Sequence, residues 1–111
     1  MCRALRVLCA ARSPERLAEL KGASVSPNWE LVGGSTSVGE LAGQVAELSP
    51  DVVVLDEAIG NGAVAAVRAA RDGARIVSVG PADGADEVVG SLEEIRAAVL
   101  GLSRPGGPVL G

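Results

Sequence analysis

A carboxylate closing a short apolar run, Pro50-Asp51-Val52-Val53-Val54-Leu55-Asp56, is the first feature of this 111-residue chain that could do chemistry. Four consecutive aliphatic residues, Val52 to Leu55, suit a strand buried on both faces, as in the middle of a parallel sheet. Asp56 then stands at the carboxyl end of a central strand, where ligands collect in open α/β sheets. A carboxylate there can accept a phosphoryl group or hold a cation. Phosphoryl transfer is mostly positioning plus neutralisation of charge on the equatorial oxygens, and a lone acid is a poor Mg²⁺ site. Glu57 is adjacent, but successive strand side chains point to opposite faces.

Cys9 offers a second chemistry. The stretch C-A-A-R-S-P ends a first strand and leads into a helix start, where backbone amides favour a thiolate. It resembles the phosphocysteine loop of sugar-phosphotransferase IIB subunits, which would make the chain a phosphocarrier. That loop is longer and rich in Gly, Ser and Thr, whereas this one is not. The bland alternative is a small hydrophobe in a buried strand. The chain contains no His, which excludes a His general base, a His-based triad and a His metal site. Gly33-Gly34 and Gly60-x-Gly62 form no G-x-G-x-x-G fingerprint and read as flexible loops and helix starts.

The elements that position these residues alternate in kind. Arg3 to Ala10 reads as a strand. Ser13 caps a helix with Pro14 in its first position, Leu17 and Leu20 inward and Gly22 as its end. Trp29 to Gly33 reads as an edge strand with a half-exposed Trp. Ser37-Val38-Gly39-Glu40 is a capping box, and Leu41, Val45 and Leu48 follow at helical spacing until Pro50. Ala63 to Asp72 forms a third helix, and Arg75 to Val79 a fourth strand. The repeated β-α alternation implies a parallel sheet with helices on both faces.

The rhythm then breaks. Only Gly80 to Ala85 separate the fourth strand from Asp86-Glu87-Val88-Val89, too few residues for a crossover helix. A fifth parallel strand therefore needs a bare extended connection. Ser91-Leu92-Glu93-Glu94 repeats the capping-box spacing and opens a last helix, with Leu92, Ile95, Val99 and Leu102 for packing. The domain is expected over residues 1–102, and the Gly/Pro-rich residues 103–111 read as a tail or linker stub.

Composition narrows the function. With 48% hydrophobic residues and one aromatic, the core is Val, Leu, Ile and Ala. A net charge of −4 argues against direct nucleic-acid binding, and no apolar run is long enough to span a membrane. Two closely spaced cysteines, Cys2 and Cys9, fit a reduced cytoplasmic setting.

Together, the strand order, P-D-V-V-V-L-D, W-E-L-V-G and Gly84-Ala85-Asp86 resemble a response-regulator receiver domain over nearly the whole chain. The resemblance implies a three-layer, flavodoxin-like α/β fold with parallel sheet order 2-1-3-4-5, its fourth helix missing or reduced here. It also makes Asp56 the equivalent of the phosphoacceptor. The family's metal-holding acidic pair corresponds to Ala11 and Arg12, its fourth-strand hydroxyl to Gly80, its switch aromatic to Val88 and its lysine to Ser91. Only Asp56 survives, so a degenerate receiver is expected, with no catalytic residue, metal or cofactor, and with Arg12 as a candidate ion-pair partner for Asp56. Its expected work is protein–protein interaction or homodimerisation in signalling or transcription regulation. The expected interface is Val88, Val89, Leu92, Ile95, Arg96 and Val99, on a sheet left bare by the missing helix. An unidentified small ligand in the vacated pocket is the remaining alternative.

Overall fold

The computed structural model describes residues 5–26, 29–56, 59, 62–71, 73–81 and 84–103. Five strands, β1 (Leu5–Ala10), β2 (Trp29–Ser35), β3 (Val52–Asp56), β4 (Arg75–Val79) and β5 (Glu87–Val89), form one sheet of order β2-β1-β3-β4-β5. All neighbouring strands are parallel. The helices are α1 (Pro14–Ser24), α2 (Val38–Leu48), α3 (Gly62–Ala70) and α4 (Ile95–Ser103), the last entered through a 3₁₀ turn over Leu92–Glu94. This is the expected fold class and sheet order.

Strand alternation sends the apolar residues to two cores. Val7, Cys9, Val52, Val54, Val77 and Val79 meet Leu20 of α1 with Ile95 and Val99 of α4. On the other face, Leu8, Val53, Leu55 and Ile76 meet Leu41 and Val45 of α2 with Val64 and Val67 of α3. All of β3 is buried, as its unbroken aliphatic run requires.

Ser13 caps α1 and Ser37 caps α2, each hydroxyl accepting the amide three residues on. The helix α1 runs through Gly22 to Ser24 rather than ending at the glycine. Trp29 is buried rather than half-exposed, and its indole N–H donates to the Ser24 carbonyl at 2.6 Å, satisfying the end of that helix. The strand β2 continues to Ser35 and takes in Gly33 and Gly34, with a register shift opposite Val7 and Leu8. These glycines admit helices on both faces. A Cβ on Gly33 would lie 2.9 Å from Gln44 Oε1 and 3.1 Å from Leu48 Cδ1, and one on Gly34 3.1 Å from Leu17 Cδ1. The last capping box does not form: Ser91 makes no side-chain cap, and Glu94 accepts the amide of Gly90 at 2.6 Å rather than that of Ser91.

Between β4 and β5 no described residue is helical, as the short spacing predicts. The connection is a strap held by Arg68 of α3, whose Nη1 donates to the Ala74 carbonyl and whose Nη2 donates to the Gly84 carbonyl and the Asp86 carboxylate. The same Asp86 oxygen accepts the Ile76 amide at 2.7 Å. Under this strap Ile76 and Ser78 are fully buried, and Ala85 packs against the core beside them. The bare apolar sheet expected here therefore shrinks to Val88, 49% exposed.

Candidate functional site

The amino end of α1 is aimed at Asp56. Ser13 caps the helix and Pro14 starts it, which puts Arg16 in the first turn, its amide bonded to the Ser13 hydroxyl at 3.2 Å. Helical side chains lean toward the N-terminus, so Arg16 points over the carboxyl ends of the strands. A cation there opposes the helix dipole and needs carboxylates to hold it. Arg16 Nε donates to Asp56 Oδ1 at 3.1 Å, and its Nη1 donates to Glu19 Oε1 at 3.0 Å. Hydrogen bonding to Glu19, and then to Asp56, pushes the guanidinium pKa above its ordinary value.

The cation that meets Asp56 is thus Arg16, not Arg12. Arg12 precedes the helix and is exposed, whereas Arg16 sits on the turn that overhangs the strand end. Ala11 is fully buried in the apolar core. Level with Asp56 on β4 is Val79, which by alternation shares its face, and Gly80 follows with φ 99°. Ser78 points to the opposite face, its hydroxyl donating to the Gly80 carbonyl at 2.8 Å. Ser91 lies on the surface before α4, and Glu57 lies outside the described residues.

The described residues around Asp56 do not fit a Mg²⁺ ion. Its carboxylate already faces a guanidinium, Ala11 supplies no side-chain oxygen, and among the described residues no group of three metal-ligating side chains gathers. A divalent cation beside Arg16 would meet like charge in a site where Asp56 is only 6% exposed.

Cys9 is fully buried in β1, and its thiol donates to the Ser24 hydroxyl at 3.5 Å. Burial pushes its pKa to about 11, only partly opposed by the Ser24 contact and by Lys21. It therefore faces the underside of α1, away from any loop that could present it to a phosphodonor.

The expected interface divides. Ile95 and Val99 are fully buried in the protein's own core, because the apolar stripe of α4 is spent on the sheet, and Val89 of β5 packs against the same core with only 6% of its surface exposed. Leu92 is partly buried against the same core. Arg96 is exposed, but its Nε donates to the Val25 carbonyl at 2.7 Å and its Nη2 to the Gly22 carbonyl at 3.2 Å, pinning α4 to the end of α1. The apolar residues left outside at this corner are Val88 and Leu100. The signal sequence reading missed was Arg16 itself, a cation placed at the positive end of a helix.

No family model matches the chain, and no curated protein matches it. Solved structures do. The signal receiver domain of the putative response regulator NarL from Mycobacterium tuberculosis superposes with a TM-score of 0.71 at 22% identity, covering 89% of this chain and 95% of that one. The response regulator domain of Thermotoga maritima CheB gives 0.68 at 20%, covering 88% and 92%. The REC domain of RcsB from Salmonella enterica serovar Typhimurium, solved with phosphomimetic BeF₃⁻, gives 0.72 at 14%, covering 90% and 88%. The chain has the fold of a receiver domain.

Proposed function

We propose that this chain is a degenerate receiver: a non-catalytic regulatory domain of a response-regulator type of protein that works by protein–protein contact, without phosphorylation. The observation that carries this reading is the Arg16–Asp56 pair. The carboxylate that would accept a phosphoryl group is buried against a fixed guanidinium, with Ala11 and Val79 beside it. Attack on a phosphodonor needs a free carboxylate oxygen and neutralisation of the transferring group. Here the cation is bonded to the nucleophile, and no hydroxyl shares its face on β4.

Contact with a protein partner or with a second copy is assigned to the exposed remainder of the β5–α4 corner, Val88, Ala97 and Leu100. In this reading the domain runs to Ser103, the last residue of α4 and one residue past the expected boundary, and the Gly/Pro-rich residues after it are read as a linker. A net charge of −4 supports leaving nucleic acid to any output domain. The buried, high-pKa thiol of Cys9 weighs against the phosphocarrier reading.

Intact mass after incubation with acetyl phosphate and Mg²⁺ tests the proposal. No phosphoryl-sized gain is expected. A gain that disappears in Asp56→Asn would overturn it in favour of a working receiver, and one that disappears in Cys9→Ala in favour of a phosphocarrier.

A further inference from the structure

We propose that the outer edge of β5 is a docking site for an extended, basic segment of a partner protein, which would join the sheet as a sixth strand. This rests on the reading of the chain as an interaction module and names the chemistry of its partner. The strand β5 ends the sheet and pairs only with β4. An open groove of about 370 Å³ runs along it, lined by Glu87, Val88 and Val89 of the strand and by Glu94, Ala97 and Ala98.

The backbone of β5 determines what can bind. The Val89 carbonyl accepts the Gly80 amide. A strand residue sends its N–H and C=O to one side and the next residue sends its own to the other, so those of Val89 and Glu87 face β4 and the N–H and C=O of Val88 face the outer edge. Unpaired groups on a sheet edge are a template for an added strand.

The side chains set the pattern of that strand. Glu87 stands level with Val77 and Val89 with Val79, so both share the face covered by α4, whereas Val88 stands level with Ser78 on the other face. A neighbour beside Glu87 therefore meets the carboxylates of Glu87 and Glu94 and should be cationic. A neighbour beside Val88 meets an exposed apolar side chain and should be apolar. The small Ala97 and Ala98 leave room for the long stem of an arginine or lysine. A second copy is a poorer occupant, because pairing two β5 edges gathers the Glu87 and Glu94 carboxylates of both copies on one three-residue strip.

The test is an NMR titration of the full chain with the peptide acetyl-Arg-Val-Arg-Val-Arg-amide. Amide shifts confined to residues 87–90, 97 and 98 are expected. Glu87→Lys, an exposed change that leaves the core untouched, should weaken binding about tenfold or more, as should N-methylation of alternate peptide amides (about 1.4 kcal/mol). A peptide with Glu for Arg should not bind. The proposal is overturned if millimolar peptide leaves these amides unmoved. It also fails if shifts spread over the acidic surface regardless of N-methylation, or if concentrating the protein alone moves the β5 amides, which would make a second copy the occupant. Each of these failures leaves the intact-mass result for Asp56 standing, so the two readings fail separately.

Discussion

Removing the guanidinium from Asp56 should cost more than a surface ion pair and less than a fully buried one. Breaking a buried pair by deleting one partner costs about 3–5 kcal/mol, while exposed pairs contribute about 0.2–1 kcal/mol. The Asp56 side chain is 8% exposed and Arg16 35%. Water thus reaches the cation but scarcely reaches the anion, and the Coulomb gain is discounted on one side only. Arg16→Met, which keeps the aliphatic stem, is therefore expected to cost about 1–3 kcal/mol, chiefly because Asp56 is left buried without its counter-ion. Asp56→Asn leaves a neutral amide in place and should cost about 0.5–1.5 kcal/mol.

A double-mutant cycle isolates the pair. Urea unfolding of wild type, both single variants and the double variant should give a coupling of about 1–2 kcal/mol, since the two groups are in contact. Glu19 is the internal control. Its bond to Arg16 is an exposed i,i+3 pair, so Glu19→Gln should cost only about 0.2–0.5 kcal/mol. A domain of this size has about 5–15 kcal/mol of total stability, so every variant stays folded and measurable. A coupling below about 0.3 kcal/mol, or a Glu19→Gln cost equal to that of Arg16→Met, would refute the idea that Arg16 is held for Asp56.

Two further outcomes follow from the core and the strap. Burial raises the Cys9 pKa from 9.0 to about 11, so the folded state holds the proton more tightly than the unfolded chain. The stability this gives is fully present below pH 9 and is lost as the pH rises to about 11. Relative to Cys9→Ala, wild type should lose about 3 kcal/mol across that window in urea melts, and an unchanged difference would refute the burial argument. Arg68→Met removes the donors to Ala74, Gly84 and Asp86 and should free the strap at a cost of about 1–2 kcal/mol. Amide exchange at Ile76 and Asp86 should then quicken by about 5–30-fold with α1 unaffected, whereas uniform acceleration would mean that Arg68 supports the whole fold rather than the strap.

Features with a strong local cause were legible in the sequence. The aliphatic run Val52–Leu55 can only be a doubly covered strand, and Ser13 and Ser37 mark helix starts through hydroxyls that need a free amide. The seven residues between β4 and β5 are too few for a crossover helix. What escaped reading depends on distances that no local pattern encodes. Arg12 and Arg16 are only four residues apart, one before α1 and one in its first turn, and the choice between them rests on where that turn overhangs β3. The stripe Leu92, Ile95 and Val99 is equally apolar whether it faces a sheet or a partner, and only the packing of α4 shows that Ile95 and Val99 are spent inside. Arg68 and Asp86 stand eighteen residues apart, beyond any helical or strand period. Trp29 was misjudged because an edge strand suggests exposure, whereas the end of α1 closes over it.

Two arginines account for how this fold tolerates its omissions. Losing the helix between β4 and β5 should strip cover from Ile76 and Ser78, yet both are fully buried. Arg68 holds the strap with two donated bonds, to Gly84 and Asp86, and a third to Ala74 ties it to the start of β4; its stem needs only the end of α3 as an anchor. The carboxylate of Asp56 would be costly to bury alone, and Arg16 offsets that cost from a helix turn already fixed by Ser13 and Pro14. Both devices are side chains of the protein itself, so neither depends on a bound cation. In a domain read as phosphorylation-independent, the charge at Asp56 then stays constant, and the strap has no reason to rearrange in response to it. On the proposed reading, regulation is left to what can still change at the surface, which is occupancy of the β5–α4 corner.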